Sequence, residues 1–461
     1  MFSTIPLLRF HMDFSSSSYL KFNIEGNMKM RTHTFKKRAQ ALILLLAAFA
    51  LVLAGCNSSG GEQNAGKEEA KEKTIHIFQF KVEIAEALNR MKAEYEASHP
   101  GIKLDIQTVG GGSDYGAALK AKFASGEQPD IFNVGGYREL DTWLEYLEDL
   151  SDQPWVGDVV DVAKEPMTKD GKLYGQPMNL EGYGFIYNKD LFKKAGITET
   201  PKTLSELEGA AQKLQAAGIT PFSNGYQEFW VLGNHLLNVA FANQPDPSAF
   251  VKGLNDGTAK IPGNAVFAEW IKLFDLTLKY GNSKPLTTDY NTQVTNFATG
   301  KAAMMQQGNW TQVQIDGINP KLNLGILPMP IGEDAAAGDK LFVGVANNWV
   351  VNKNSSVKPE AKEFLNWMVT SEQGKKYITK EFKFIPAFKS IKGSEADMGQ
   401  LGAEVVKYSQ ENKLLGWFFS RYPEGAQQEF GSQMQAYVAG KSDAGKLLED
   451  FQSTWDNLKT K

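Results

Sequence analysis

The segment "TIHIFQF" (Thr74–Phe80) is rich in β-branched and aromatic residues, the composition typical of a strand. The segment "IKLDIQTV" (Ile102–Val109) has the same composition and predicts a second strand. Between them, apolar residues fall on one face of a helix: Ile84, Leu88, Met91 and Tyr95. A strand, a helix and a second strand in this order predict a βαβ unit.

The alternation continues in the next residues. Tyr115–Ser125 has the pattern of a helix, and Asp130–Val134 that of a short buried strand. Such units predict a mostly parallel sheet, in which ligands bind beyond the carboxyl ends of the strands. We therefore expect a site at residues Phe80–Glu83 and Asn133–Tyr137.

Helices dominate the second half of the chain. "TLSE" (Thr203–Glu206) has the spacing of a capping box and predicts a helix that extends to about Ala217. Two further amphipathic helices are predicted at Asn264–Gly281 and Ala361–Ile378. Short strands are predicted at residues 302–307 and 324–329.

The amino-terminal region has the pattern of a lipoprotein signal peptide. A basic stretch at residues 29–38 precedes an uncharged apolar run, Ala39–Gly55, of the length of a signal-peptide core. An anchor helix is the alternative, but the run is short for a membrane span. "LAGC" (Leu53–Cys56) resembles the lipobox of bacterial lipoproteins, which predicts a signal peptide at 28–55 and lipid attachment at Cys56.

The residues on either side of this signal have different compositions. Residues 1–27 lack a clear period, so we expect translation to start at Met28 or Met30 rather than at Met1. Residues 56–73 contain no large apolar side chain between Asn57 and Lys73, which predicts a flexible linker.

Charge and residue usage exclude several functions. Seven of the 49 Lys and Arg and two of the 53 Asp and Glu precede Cys56, leaving 42 basic against 51 acidic residues from Cys56 onward. An acidic balance argues against nucleic acid as a partner. The single cysteine excludes an intrachain disulfide and a cysteine-based zinc site. We predict no metal, no cofactor and no catalytic residues, although a carboxylate pair of the glycosidase type remains open.

Four segments resemble the extracellular solute-binding proteins of bacterial ABC importers, in the carbohydrate group that includes maltose-binding protein. They are "ASGEQPDIFNVGG" (Ala124–Gly136), "KDGKLYGQPMNLEGYGFIYNKDLFKKAGI" (Lys169–Ile197), "FATGKAAMMQQGNW" (Phe297–Trp310) and "FVGVANNWVVNK" (Phe342–Lys353). The four segments follow the order of that family along the chain.

The resemblance implies an α/β fold of the periplasmic-binding-protein type, class II, with two lobes and a ligand cleft between them. The chain would cross the hinge three times, near residues 178–182, 343–348 and 392–400. Residues 74–180 with 346–395 would form the first lobe, and residues 181–345 with 396–461 the second. Closure of the lobes on a ligand would present a new surface to a permease.

A sugar presents hydroxyl groups, which polar side chains bind, and C–H faces, which aromatic rings cover. By the resemblance, twelve residues are candidate ligand contacts: Lys81, Glu83, Asn133, Tyr137, Glu181, Tyr183, Tyr226, Trp230, Trp310, Asn348, Trp349 and Arg421. Trp310 matches the stacking tryptophan of the family best. Packing is the alternative for Glu181 and Tyr183 at the hinge, and for Tyr226 and Trp230 in the core.

The resemblance implies a receptor that captures an oligosaccharide, of the raffinose/α-galactoside or isomalto type, and delivers it to the permease of an ABC importer. It would be a monomer, lipid-anchored at the extracellular face of the cell membrane. The alternatives are a secreted carbohydrate-active enzyme with a carboxylate pair, and a binding protein of the same fold for a polyamine or a metal.

Overall fold

The computed structural model describes residues 72–459, which contain two large sheets and a two-stranded hairpin. The first sheet has the strand order β2-β1-β3-β12-β6. Its strands are β1 (Lys73–Gln79), β2 (Ile102–Thr108), β3 (Ile131–Val134), β6 (Gln176–Pro177) and β12 (Asn348–Val351). β1 pairs in parallel with β2 and β3, as predicted, whereas β12 runs antiparallel to β3 and β6. The sheet is therefore mixed: β1, β2 and β3 are parallel to one another, and β12 is antiparallel to its two neighbours.

The second sheet has the order β13-β11-β7-β9-β8, with β10 also paired to β7. Its strands are β7 (Leu180–Asn188), β8 (Thr220–Ser223), β9 (Ala302–Gly308), β10 (Leu324–Leu327), β11 (Leu341–Val345) and β13 (Leu414–Leu415). A separate hairpin consists of β4 (Thr168–Lys169) and β5 (Lys172–Leu173). The short strands that the sequence predicts at residues 302–307 and 324–329 are thus β9 and β10.

Helices cover the sheets. They are α1 (Ala85–Ser98), α2 (Tyr115–Ser125), α3 (Arg138–Trp143), α4 (Asp161–Lys164), α5 (Lys189–Lys194), α6 (Leu204–Ala216), α7 (Leu237–Ala242), α8 (Pro247–Asp256), α9 (Ala265–Lys279), α10 (Tyr290–Ala298), α11 (Gln312–Ile318), α12 (Lys358–Thr370), α13 (Glu372–Lys376), α14 (Glu395–Gln410), α15 (Ala426–Val438) and α16 (Ala444–Leu458). α14 is kinked at Gly399. Within residues 72–459, each helix is too short or too polar to span a bilayer.

Each sheet has its own hydrophobic core, and we call each sheet with its core a lobe. The first core takes residues from Ile75–Met178 and Val345–Ile391, and the second mainly from Tyr183–Phe342 and Met398–Trp455. The chain passes between lobes after β6, after β11 and again after Ile391. The two-lobed α/β fold with three crossings is confirmed.

The sequence predicts one continuous helix over Ala361–Ile378, and this prediction is wrong, because the structure has two helices there, α12 and α13. Ser371 has extended backbone angles and ends α12, and its side chain accepts a hydrogen bond from Gly374 N at the start of α13. A π-helical turn, Tyr377–Glu381, follows. The apolar period continues across the break because both helices pack on the same core, so the pattern alone did not reveal it.

Three sequence predictions fall outside the described residues. They are the signal peptide at 28–55 with the preceding residues 1–27, the lipid attachment at Cys56, and nearly all of the linker at 56–73.

Candidate functional site

A cleft of about 510 Å³ lies between the lobes. It is close to the two crossings that precede β7 and β12. The first lobe lines it with Phe80–Glu83 after β1, Gly110–Ala117 before and at the start of α2, and Asn133 at the end of β3. The second lobe lines it with aromatic residues and with the loop before α15. The cleft therefore lies beyond the carboxyl ends of β1 and β3, as the parallel strands predict.

A buried ion pair forms the floor of the cleft. Lys81 Nζ lies 2.5 Å from Glu181 Oε1, and both side chains are almost fully buried. Burial alone lowers the pKa of Lys81, but the carboxylates of Glu181 and Glu83 outweigh it, so the pKa stands above the ordinary value for lysine. The ammonium also lies 5.9 Å from the ring centre of Trp310. The charged ammonium of Lys81 thus contacts both the buried carboxylate of Glu181 and the aromatic ring of Trp310.

A second polar contact joins the lobes across the cleft. Tyr290 on α10 donates its hydroxyl hydrogen to Glu83 Oε1 at 2.8 Å. Burial, and then the charge of Glu83, hold the pKa of Tyr290 well above its ordinary value, so the hydroxyl stays protonated. The backbone N–H of Tyr290 donates to buried Glu228 at 3.1 Å. Two carboxylates from different lobes therefore position this tyrosine.

The opposite wall is a cluster of aromatic rings around His235. The imidazole lies 5.1 Å from the ring of Trp310, 5.4 Å from Trp230, 5.9 Å from Trp417 and 5.5 Å from Phe419, measured between centroids. Burial and, secondarily, the positive charge of Lys81 lower the pKa of His235 to about 3. At neutral pH the imidazole is uncharged, and the cluster presents flat apolar faces with one polar ring at its centre.

The end of β9 positions the ring of Trp310. Its Nε1–H donates to Gln307 Oε1 at 3.0 Å, and Gln307 Nε2 donates to Gln293 Oε1 at 2.7 Å. A Cβ at position 308 would collide with the indole, so Gly308 is the residue that lets the ring fold back over the strand. The indole hydrogen is thus already bonded to protein, which leaves the ring face as its contact surface.

A π-helical turn, Val231–Leu236, carries His235. Tyr183 lies beneath this turn: its hydroxyl donates to the carbonyl oxygen of His235 at 2.9 Å, and its ring stacks on the imidazole at 4.5 Å. Asn234 precedes His235 and also lines the cleft. Such turns often occur at functional sites.

The structure places the twelve predicted contacts in two groups. Six line the cleft: Lys81, Glu83, Asn133, Glu181, Trp230 and Trp310. The side chain of Asn133 is nonetheless fully engaged, since it accepts from Phe80 N and contacts the carbonyl of Asn348.

The other six predicted contacts lie outside the lining of the cleft. Tyr183 and Tyr226 are fully buried in the second core, where the hydroxyl of Tyr226 bonds to Thr277. Asn348 donates to the carbonyl of Val134, and Trp349 packs in the first core. Packing accounts for Tyr183, Tyr226 and Trp349, whereas Oδ1 of Asn348 is buried without a partner in the described part of the chain.

Tyr137 and Arg421 meet at the rim, one from each lobe. The guanidinium of Arg421 lies 4.4 Å above the ring centre of Tyr137, and its Nη2 lies 3.0 Å from Glu165 Oε1. Lys120 and Glu424 form a further ion pair between the lobes. The lobes therefore touch across the mouth of the cleft through charged side chains.

Sequence reasoning did not select several residues of the cleft: Asn234, His235, Tyr290 and Phe419. Each lies in a helix or turn whose apolar neighbours indicate ordinary packing, so the sequence carries no signal that could have found them. Among residues 72–459, the structure holds no group of three acidic, histidine or cysteine side chains arranged for a metal ion.

Comparison with known proteins identifies the class. A family model described as "Bacterial extracellular solute-binding protein" matches residues 81–375. The chain belongs to this family, and the predicted resemblance is confirmed.

Individual relatives are distant but match almost over their full length. The "Multiple sugar-binding protein" of Streptococcus mutans is 23% identical over 88% of this chain and 94% of its own. The "Melibiose/raffinose/stachyose-binding protein" of Bacillus subtilis is 23% identical, over 88% of this chain and 92% of its own. Among solved structures, a raffinose complex of RafE superimposes with a TM-score of 0.73 at 23% identity, covering 84% of this chain and all of RafE.

Proposed function

We propose that this chain is the extracellular substrate-binding component of an ABC importer, and that its ligand is a neutral oligosaccharide. One observation carries the proposal: a single cleft combines the aromatic cluster around His235 with the polar groups of Lys81, Glu83 and Glu181. Sugars need both surfaces, aromatic faces for C–H groups and hydrogen-bonding groups for hydroxyls. The volume of about 510 Å³ falls within the range of about 300–1,000 Å³ typical of small-molecule sites.

The names of relatives narrow the ligand class. Proteins named for multiple sugars and for melibiose, raffinose and stachyose match this chain over nearly their full length. We therefore propose an oligosaccharide of the raffinose/α-galactoside type, with an isomalto-oligosaccharide as the second candidate.

The proposed partners are the permease subunits of the importer. Residues 74–180 with 346–395, and 181–345 with 396–461, would act as the two lobes, since the two hydrophobic cores divide near these positions. Closing the lobes on a sugar would create the surface that the permease recognises. The protein would act as a monomer at the extracellular face of the cell membrane, attached through a lipid on Cys56; pneumococcal relatives are named solute-binding lipoproteins.

Calorimetric titration with raffinose, stachyose, isomaltotriose and maltotriose tests the proposal. We expect saturable binding of at least one sugar, with a change in tryptophan fluorescence because Trp230, Trp310 and Trp417 line the cleft. Failure to bind any of them would contradict the proposed ligand class.

The same samples test the enzyme alternative. A binding protein leaves each sugar intact, whereas a glycosidase with a carboxylate pair produces new reducing ends. Release of reducing ends, abolished by a Glu83→Gln or Glu181→Gln change, would replace our proposal with an enzymatic one.

A further inference from the structure

Two polar side chains at the centre of the aromatic wall have no hydrogen-bond partner within residues 72–459. His235 is only 8% exposed, yet the described hydrogen bonds of this residue involve its carbonyl and not its ring nitrogens. Oδ1 of its neighbour Asn234 is buried and likewise unpaired. Both residues lie in the π-helical turn Val231–Leu236 and line the cleft.

An unpaired buried polar group destabilises a folded protein, so such groups are uncommon and each one calls for an explanation. The cost is offset when a bound ligand supplies the missing hydrogen bonds. The turn itself is anchored from below by Tyr183, whose hydroxyl bonds to the carbonyl of His235 and whose ring stacks on the imidazole, so the imidazole is held in place before any ligand arrives.

We propose that Asn234 and His235 determine which sugar binds, by hydrogen-bonding the ring hydroxyls of the sugar that packs on Trp310 and Trp230. The inference rests on the proposed function. A neutral imidazole offers one donor and one acceptor, and the amide of Asn234 offers both as well. A sugar hydroxyl also donates and accepts, so an epimer or deoxy sugar with a group out of place would leave a buried polar atom unpaired.

The chemistry of the surrounding residues supports this assignment. Among the aromatic rings around His235, the indole hydrogen of Trp310 is already bonded to Gln307, whereas the indole nitrogen of Trp417 is buried without a partner among the described residues. The low pKa of His235 keeps the ring neutral, so it retains an acceptor nitrogen. An indole N–H can only donate, so on this wall the two side chains of the turn are the groups that can both donate to and accept from a sugar hydroxyl.

The experiment compares the wild-type protein with H235F, N234A and a matched control, H99F. His99 is also stacked on an aromatic ring, that of Tyr95, but lies outside the cleft. Each protein is titrated with raffinose, stachyose, isomaltotriose and maltotriose, and then with monodeoxy derivatives of the sugar that the wild type binds most tightly.

We expect H235F and N234A each to lose about tenfold or more in affinity for that sugar, and H99F to match the wild type. The loss should vanish for the one deoxy derivative that lacks the hydroxyl bonded by the altered side chain. Unchanged affinity, or an equal loss for every derivative, would overturn the inference.

Two further outcomes are informative. If H235F does not fold, as judged by thermal unfolding, N234A decides by the same measurements. If the wild type binds none of the sugars, the proposed function fails and this inference with it, whereas binding without the expected losses overturns the inference alone.

Discussion

Trp310 presents an almost fully buried indole whose hydrogen is bonded within the protein, so its exposed surface in the cleft is a ring face. Aromatic anchors of this kind commonly contribute about 2 kcal/mol to binding. We therefore expect Trp310→Ala to raise the Kd for the preferred sugar about thirtyfold, measured by calorimetry.

Two controls separate binding from folding. Trp310→Phe keeps an aromatic face and should lose less affinity than Trp310→Ala. Trp367→Phe changes a tryptophan that packs on Tyr95 away from the cleft and should bind as the wild type does. Equal affinity in Trp310→Ala and the wild type would place the sugar elsewhere.

His235 should make stability depend on pH. Its pKa is about 3 in the folded protein against 6.5 for a free histidine, so between pH 6.5 and 3 the unfolded chain binds a proton that the folded protein does not. The resulting stability is fully present above pH 6.5 and is lost as the pH falls, by up to about 1.4 kcal/mol per pH unit. Urea unfolding of the wild type and H235F at pH 7 and pH 5 measures this difference.

H235F lacks the imidazole, so its free energy of unfolding should change less between pH 7 and pH 5 than that of the wild type. N234A, which alters the same turn but no titratable group, should retain the wild-type slope. Identical slopes in the wild type and H235F would contradict the low pKa.

At the scale of the element, capping fixes where α6 begins. The Thr203 hydroxyl accepts from Glu206 N at 3.2 Å, and the Glu206 carboxylate accepts from Thr203 N at 3.3 Å, which is the capping box that "TLSE" predicts. We expect Thr203→Ala to lower the free energy of unfolding by about 1 kcal/mol and to leave sugar affinity unchanged.

Urea unfolding provides the measurement, with Thr198→Ala as the matched control. Thr198 is an exposed threonine just before this helix and makes no side-chain hydrogen bond among the described residues, so its removal should change stability by less than about 0.5 kcal/mol. Equal effects of the two changes would argue that the cap contributes nothing.

Elements differ in how well the sequence predicts them. β1, α1, β2 and α2 follow from apolar spacing, and the structure confirms each within a residue or two. The break at Ser371 and the π-helical turn before α7 were missed. Both keep the apolar period of a continuous helix, and their irregularity is set by packing against neighbouring elements.

At the scale of the whole molecule, exposed ion pairs join the lobes at the mouth of the cleft. Arg421 pairs with Glu165, and Lys120 with Glu424, whose carboxylate also accepts a hydrogen bond from Thr142. Each exposed pair contributes at most about 1 kcal/mol and is screened by salt. We expect the variant Glu165→Gln/Glu424→Gln to bind sugar about fivefold more weakly at low salt, since contacts between lobes favour the closed arrangement.

The dependence of sugar affinity on salt shows whether the double variant binds more weakly because ion pairs between the lobes are lost or because of a local change at the altered residues. Wild-type affinity should fall with added NaCl, and that of the double variant should change less. Glu208→Gln, which removes an ion pair with Lys279 inside the second lobe, should behave as the wild type does. A double variant with unchanged affinity and an unchanged salt response would exclude a role for these pairs in closure.

Cys56 should determine location without affecting ligand binding. Lipid chains bind bilayers by burying methylene groups, at about 0.8 kcal/mol for each CH₂. We expect Cys56→Ser to shift the protein from the membrane fraction to the medium, measured by fractionation and immunoblotting, with the sugar affinity of the purified protein unchanged. Retention of the variant in the membrane would contradict lipid attachment at this residue.

The sequence by itself determined the alternation of strands and helices and the family through four separate segments, and six of its twelve predicted contacts, including Lys81, Glu181 and Trp310, line the cleft. These features are local, because side-chain period and segment composition need no knowledge of the rest of the chain. Only the tertiary structure decided that Tyr290 meets Glu83, 207 residues away, and that His235 lies at the centre of the aromatic cluster. It also decided that Tyr183, Tyr226 and Trp349 are buried in the cores. The physical reason is that burial and hydrogen-bond partners depend on how distant segments pack together, and no local pattern encodes that packing.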